Sequence, residues 1–223
     1  MQLLRSLSDA PAINSGIEST LFASPFKEDM LLFYINRPSV IVGRNQSVEA
    51  EVNTAYCATH GIEVIKRITG GGTVYHDYGN INYAFFIRKH TKSVLDLDFA
   101  SPVVVALGSL GIQATVGARR ELLCDGRKIS GTASHTTGDS ILFHGTLLHH
   151  TNLTHLSEAL KGDLSRRGRH VASAPATVMN LSEVTGTNET TAQFFEKFMQ
   201  QLLIFYKAEK IQSLSPLPLN LKF

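Results

Sequence analysis

The chain has 223 residues, 21 Lys+Arg against 19 Asp+Glu for a net charge of +2, 43% hydrophobic residues, two Cys and no Trp. The hydrophobic share excludes a disordered chain, no apolar run reaches the roughly 18 to 20 residues of a membrane span, and the balanced charge argues against a dedicated nucleic-acid binder. Two cysteines cannot build a disulfide framework, and the start MQLLRSLSDAPAINSG lacks an apolar core of signal-peptide length, so the expectation is a soluble cytoplasmic protein with no membrane or nucleic-acid partner.

Residues 14–22 (NSGIESTLF) place Ile17, Leu21 and Phe22 on one helical face, with Asn14 as the cap. Residues 31–35 and 40–42 are apolar runs broken at Arg37-Pro38, which predicts two strands joined by a tight turn. Residues 47–60 open on a capping serine, carry Val48, Val52, Ala55 and Tyr56 at helical spacing, and stop at Gly61, which predicts one helix. The alternating run 62–67 (IEVIKR) predicts a strand that enters Thr69-Gly70-Gly71-Gly72, and 80–88 (NINYAFFIR) predicts a strong strand with Ile81, Tyr83, Phe85 and Ile87 on one face.

Ser101-Pro102 opens a helix that Gly111 closes. Strands follow at 112–116, 121–124, 128–133 and 141–148, with turns at Asp125-Gly126 and Gly138-Asp139. A short helix at 156–160 and a long amphipathic one at 191–207, with Phe194, Phe195, Phe198, Leu202 and Phe205 inward, complete the pattern before an irregular tail with Pro216 and Pro218. Hairpin signals without strict strand-helix-strand alternation predict an α+β fold, mixed or antiparallel sheets flanked by helices, and one domain over 1–223.

The most informative segment is Lys66-Arg67-Ile68-Thr69-Gly70-Gly71-Gly72-Thr73-Val74-Tyr75-His76-Asp77. Three glycines permit positive φ angles and close backbone approach, so that successive N–H groups can converge on an anion. The segment fits neither the phosphate-loop nor the dinucleotide pattern. Arg67 offers a fixed positive charge at its entry, and His76 with Asp77 closes the far side. His144, His149, His150 and His155 do not have the spacing of a zinc site, so no metal site is expected. The basic stretch 161–170 reads as a solvated loop.

The run KRITGGGTVYHDYGNINYAF resembles the signature of the lipoate-protein ligase A family, in the biotin/lipoate ligase superfamily. The segments GRNQ (43–46), DGRKISGTA (125–133), HGTLL (144–148) and the late Val178-Met179-Asn180-Leu181 match in the family's order. The resemblance implies a ligase that converts lipoate and ATP, with Mg²⁺ in the substrate complex, to lipoyl-adenylate, then passes the acyl group to a lysine of a lipoyl domain. That carrier would belong to a 2-oxoacid dehydrogenase complex or be the glycine cleavage H protein. It implies Lys128 as the catalytic residue, Arg67, Gly70, Gly71, Gly72, Thr73, Val74, Tyr75 and Lys128 on the nucleotide, and Lys128, His76, Gly131 and Thr132 on the lipoate. A compact ammonium suits charge that builds on an acyl oxygen or an α-phosphate.

Two motifs depart from the family: Ala118-Arg119-Arg120-Glu121 stands where G-R-N-D is common, and His135 where some members carry arginine. The length matches the catalytic domain without the family's C-terminal accessory domain, which a separate protein could supply. The alternatives are a lipoyl or octanoyl transferase using a preformed donor, with Cys124 and Cys57 as the available thiols, and a non-catalytic lipoyl-domain binder.

Overall fold

The computed structural model describes residues 1–88, 97–186 and 188–215, and the expected irregular tail at Pro216 and Pro218 lies outside them. The first half runs β1 (Gln2–Ser6), α1 (Pro11–Ala23), β2 (Met30–Ile35), β3 (Ser39–Val42), α2 (Val48–Glu51), α3 (Thr54–Thr59), β4 (Glu63–Lys66), β5 (Val74–His76) and β6 (Asn80–Arg88). The second half runs α4 (Ala100–Ser109), β7 (Thr115–Val116), β8 (Leu122–Cys124), β9 (Arg127–Ser130), β10 (Thr132–Thr136), β11 (Ser140–Leu148), α5 (Leu153–Ala159), α6 (Ser182–Thr185), α7 (Thr191–Phe205) and β12 (Ile211–Leu214).

Six strands form a mixed sheet in the order β10-β11-β6-β2-β1-β12, parallel at β2-β1-β12 and antiparallel elsewhere. Smaller sheets, β4-β3-β5 and β7-β8-β9, pack beside it, giving the expected α+β class. The alternation in β6 divides two cores. Ile81, Tyr83 and Phe85 pack with Phe194, Phe198 and Leu202 of α7 and Val103 of α4, whereas Ala84 and Phe86 pack with Ile17 and Phe22 of α1. Because both faces are covered, the middle of the strand, Tyr83 to Ile87, is a continuous apolar run rather than an apolar-polar alternation.

Four local expectations are corrected, the simplest being Phe205, which ends α7 on the exposed side rather than inward. β2 and β3 lie in different sheets, so Arg37-Pro38 is a crossing between sheets rather than a hairpin. Residues 47–60 form two short helices: Ser47 caps α2, and the Asn53 side chain accepts from the Tyr56 N–H to start α3. Val52 between them is extended (φ −122°, ψ 130°), because a second asparagine cap ends the first helix's backbone pattern early. Asn14 caps nothing. α1 starts at Pro11, and Asn14 is wholly buried in its second turn.

The sheets lean on one aromatic cluster, in which the Phe198 ring lies 6.2 Å from Phe33 and 6.4 Å from Tyr83. Phe198→Ala is expected to cost about 3 to 5 kcal/mol of stability, read from the urea midpoint.

Candidate active site

The glycine-rich loop is shaped by a buried guanidinium. From the end of β4, Arg67 donates through Nε to Thr69 Oγ1 (2.9 Å), and its terminal nitrogens donate to the carbonyls of Ile41 (2.9 Å), Gly70 (2.6 Å) and Gly72 (2.8 Å). Four of the five N–H groups of the side chain are thus spent on the loop and on β3. Burial pushes its pKa down to about 10, against the pull of Glu18 and Tyr34. Gly71 sits at φ +83°, and a Cβ on Gly43 would collide with the Gly71 carbonyl oxygen, so the GRNQ turn and the loop meet backbone to backbone at this point. Gln46 ties them further: its Oε1 accepts from Thr73 Oγ1 (2.8 Å) and its Nε2 donates to Ser173 Oγ (3.0 Å), which also accepts from the Thr73 N–H (2.9 Å).

Lys128 arrives from another sheet, β7-β8-β9. Asp125 and Gly126 both have positive φ (48° and 72°), making the tight hairpin that joins β8 to β9. The Lys128 backbone is then held on both sides, its N–H donating to the Thr177 carbonyl (2.8 Å) and its carbonyl accepting from the Met179 N–H (3.0 Å). Burial lowers the pKa of the ammonium, with Glu121 opposing and Arg119 adding to the shift. Gly131 lies directly against the amine: a Cβ there would stand in van der Waals contact with Nζ, at 3.5 Å.

The loop and Lys128 face one cavity of about 330 Å³. Arg67, Gly71, Gly72, Thr73, Val74, His76, Lys128, Gly131 and Thr132 all line it. Gly70 and Tyr75 do not: Gly70 gives its carbonyl to Arg67, and the Tyr75 ring turns the other way into the core with Val40, Val42 and Cys57. Adjacent strand residues alternate in direction, so Val74 and Tyr75 cannot both point inward. Arg119 and Glu121 of the departing ARRE segment also line the cavity, and a backbone carbonyl of that turn, on Arg120, accepts from Thr132 Oγ1 (3.2 Å). His135 lies off the cavity, its ring 5.4 Å from that of Phe22.

Several cavity residues escaped sequence reasoning. Glu18 lies in the helical segment α1 and Tyr34 in the apolar run of β2, with no single residue pattern to mark either as part of a site. The Tyr34 hydroxyl donates to Glu18 Oε1 (2.9 Å), His144 Nδ1 lies 3.1 Å from Glu18 Oε2, and His144 Nε2 lies 2.9 Å from Thr69 Oγ1. A chain of polar contacts therefore joins α1 and β11 to the glycine loop. Tyr34, Asn36, His76 and Ser173 line the same space.

The remaining histidines disperse. His149 stacks on Phe194 (4.4 Å), His150 approaches Ser182, and His155 meets Tyr56. Among the described residues no group of three His, Cys, Asp or Glu side chains could hold a metal ion. Cys57 and Cys124 are buried, burial raises both thiol pKa values, and neither lines the cavity. A thioester route through either lacks an exposed thiolate. The 161–170 stretch is an exposed loop around a single helical turn at Leu164–Arg166.

Residues 10–203 match the lipoyl protein ligase A/B catalytic domain family. The chain is 37% identical over 195 residues to the lipoate-protein ligase LplJ of Bacillus subtilis, covering 86% of this chain and 59% of that protein. It is 38% identical over 176 residues to lipoate-protein ligase 1 of Staphylococcus aureus, covering 78% and 54%. The chain thus spans little more than half the length of these curated relatives. The fold is shared with a lipoate-protein ligase A solved bound with ATP (TM-score 0.77, 24% identity, 96% of this chain and 88% of that one). It is shared as well with the bi-partite lipoate protein ligase of Thermoplasma acidophilum (TM-score 0.79, 22% identity, 96% and 88%).

Arg67→Lys is expected to lose the forked contacts, to cost about 2 to 4 kcal/mol, and to speed amide exchange across residues 69–73. A pH effect follows from His76, whose pKa falls from 6.5 to about 3, first through burial and then through Arg67 and His144. The unfolded chain takes up a proton near 6.5 that the folded chain refuses, so stability is complete above that pH and declines as pH falls towards the folded value. The urea midpoint is expected to be lower at pH 5 than at pH 7.5, and His76→Gln to narrow the gap.

Proposed function

The chain belongs to the lipoyl protein ligase A/B catalytic domain family, and from that premise we propose that it activates lipoate with ATP and transfers the lipoyl group to a lysine of a lipoyl domain. The observation that carries the reading is the convergence of Lys128 and the Arg67-bound glycine loop on one cavity. The relatives are named as lipoate-protein ligases, which supports the substrate pair.

In the first step a lipoate carboxylate oxygen attacks the α-phosphorus of ATP, the bond to the β-phosphate breaks, and pyrophosphate leaves. Both reactants are anionic, so the site must supply fixed positive charge and hold them in line. Lys128 meets this demand: its backbone is held by Thr177 and Met179, and its partly desolvated ammonium acts in a medium where charge counts for more than in water. We assign Gly71, Gly72, Thr73 and Val74 to the nucleotide, through backbone groups that Arg67 and Gln46 hold in place rather than through Arg67 itself. Gly131, Thr132 and His76 border the acyl group. Mg²⁺ enters with the nucleotide as part of the substrate.

In the second step the carrier's ε-amine attacks the acyl carbon, the bond to the phosphate oxygen breaks, AMP leaves, and the amine gives up a proton. Lys128 can again hold the departing oxygen's charge. The carrier is a lipoyl domain of a 2-oxoacid dehydrogenase complex or a glycine cleavage H protein, and the reaction is placed in the cytoplasm.

Incubated with ATP, Mg²⁺, lipoate and an apo lipoyl domain, the purified chain is expected to add one lipoyl group to the carrier, read by mass spectrometry. Lys128→Ala is expected to lower the rate by about 10²-fold or more. Modification from preformed lipoyl-adenylate alone would restrict the chain to the transfer step, and carrier binding without modification from either donor would overturn the enzymatic reading.

A further inference from the structure

A line of buried polar side chains runs from β1 to the cavity, and its hydrogen bonds permit one assignment of protons. It starts at two backbone groups whose roles are fixed. The Ser8 N–H donates to Ser6 Oγ (3.2 Å), so the Ser6 hydroxyl hydrogen is free to go to Asn14 Oδ1 (2.6 Å). The Ser8 carbonyl can only accept, and it takes one hydrogen of Asn14 Nδ2 (2.9 Å). The second hydrogen of that nitrogen goes to Asn36 Oδ1 (2.7 Å). Asn36 therefore turns its own Nδ2 to His76 Nδ1 at 3.0 Å, and an amide nitrogen can only donate. Nδ1 of His76 is the acceptor, and the ring proton sits on Nε2.

All the members are buried: Ser6 is 6% exposed, Asn14 0%, Asn36 2% and His76 4%. His76 Nε2 is closed to solvent and has no hydrogen-bond partner among the described residues, although the ring borders the cavity. An N–H buried without an acceptor is costly, and a run of four ordered polar groups that ends on one at the edge of the cavity points to an acceptor brought by a ligand. Lipoate carries strong acceptors only on its carboxyl group, since ring sulfurs accept weakly.

We propose that Asn14 and Asn36 are positioning residues that hold His76 as its Nε2–H tautomer, a neutral donor to a carboxyl oxygen of the bound acyl substrate. The assignment rests on the reading of the cavity as an acyl site, and it divides the work there. Lys128 supplies charge, whereas His76 supplies direction without adding a further cation that would hold the carboxylate back from the phosphorus.

The test is nitrogen-15 NMR of the histidine rings in the full chain. In the unliganded protein at neutral pH, His76 is expected to show a protonated Nε2 and a bare Nδ1; the reverse pattern, or two protonated nitrogens, overturns the proposal whatever the protein catalyses. Asn36→Asp keeps the shape of the side chain but can only accept. At pH 8 it is expected to move the proton to Nδ1 and to weaken lipoate binding about tenfold or more. Asn14→Asp, which does not bond to His76, is expected to reverse the tautomer as well, because Asn36 must then turn its nitrogen towards the new carboxylate. A merely structural role for Asn14 predicts no such reversal.

Lipoate added to the wild-type chain is expected to shift the Nε2–H resonance downfield, and ATP alone to leave it in place. If lipoate moves the Lys128 resonances and leaves His76 unchanged, the donor role falls and the ligase reading survives. If lipoate changes nothing and the carrier stays unmodified, both fall.

Discussion

The site depends on one buried cation that never needs to meet a substrate. A run of three glycines has too much backbone freedom to form a fixed cradle, and ordering it costs about 1 to 2 kcal/mol for each residue. Arg67 offsets this by bonding to the loop at Thr69, Gly70 and Gly72, with a fourth contact to Ile41 in β3. Remove those contacts and the loop has no reason to keep one shape. Charge at the entry of a glycine loop invites assignment to a phosphate, but a guanidinium with four donors already committed is a scaffold.

Around this scaffold the protein places groups with divided roles. The cationic Lys128 enters from a hairpin whose backbone is held by residues 177–179, so its reach is set by elements remote from the glycine loop. The same cavity is lined by Glu18, Tyr34 and His144, joined to one another and, through Thr69, to Arg67. The arrangement leaves a cavity lined both by hydrogen-bonded polar side chains and by apolar ones such as Ile41, Ile65 and Val74. Such a combination suits a ligand with an apolar body and one charged end. It also leaves the two cysteines in the packed interior, where burial raises both thiol pKa values and neither meets the cavity.

Much of this was legible in the chain. The period of β6 gave its inward face, the Asp125-Gly126 pair gave the hairpin before Lys128, and the ordered motifs gave the family and nine of the residues that line the cavity. What escaped has a common physical origin. Asn14 looks like a cap because asparagine before an apolar helical run usually is one; Pro11 starts the helix earlier, and the freed amide is used for a contact with Asn36, 22 residues away. The 47–60 helix breaks because Asn53 caps again, a local competition that hydrophobic spacing cannot register. Tyr75 sits inside the motif yet faces the core, since strand pleating sends neighbouring side chains to opposite sides. Ser173 carries no signal, and matters because the chain folds back to lay its hydroxyl on Thr73 and Gln46.

The sequence alone therefore determined the fold class, the family and the residue types the chemistry needs, because periodicity, turn residues and contiguous motifs are local properties. Only the tertiary structure decided what each polar side chain does. A hydrogen bond has a donor and an acceptor, and which role Arg67, Asn36 or His76 plays is set by partners that lie up to dozens of residues away and meet only when the sheets close.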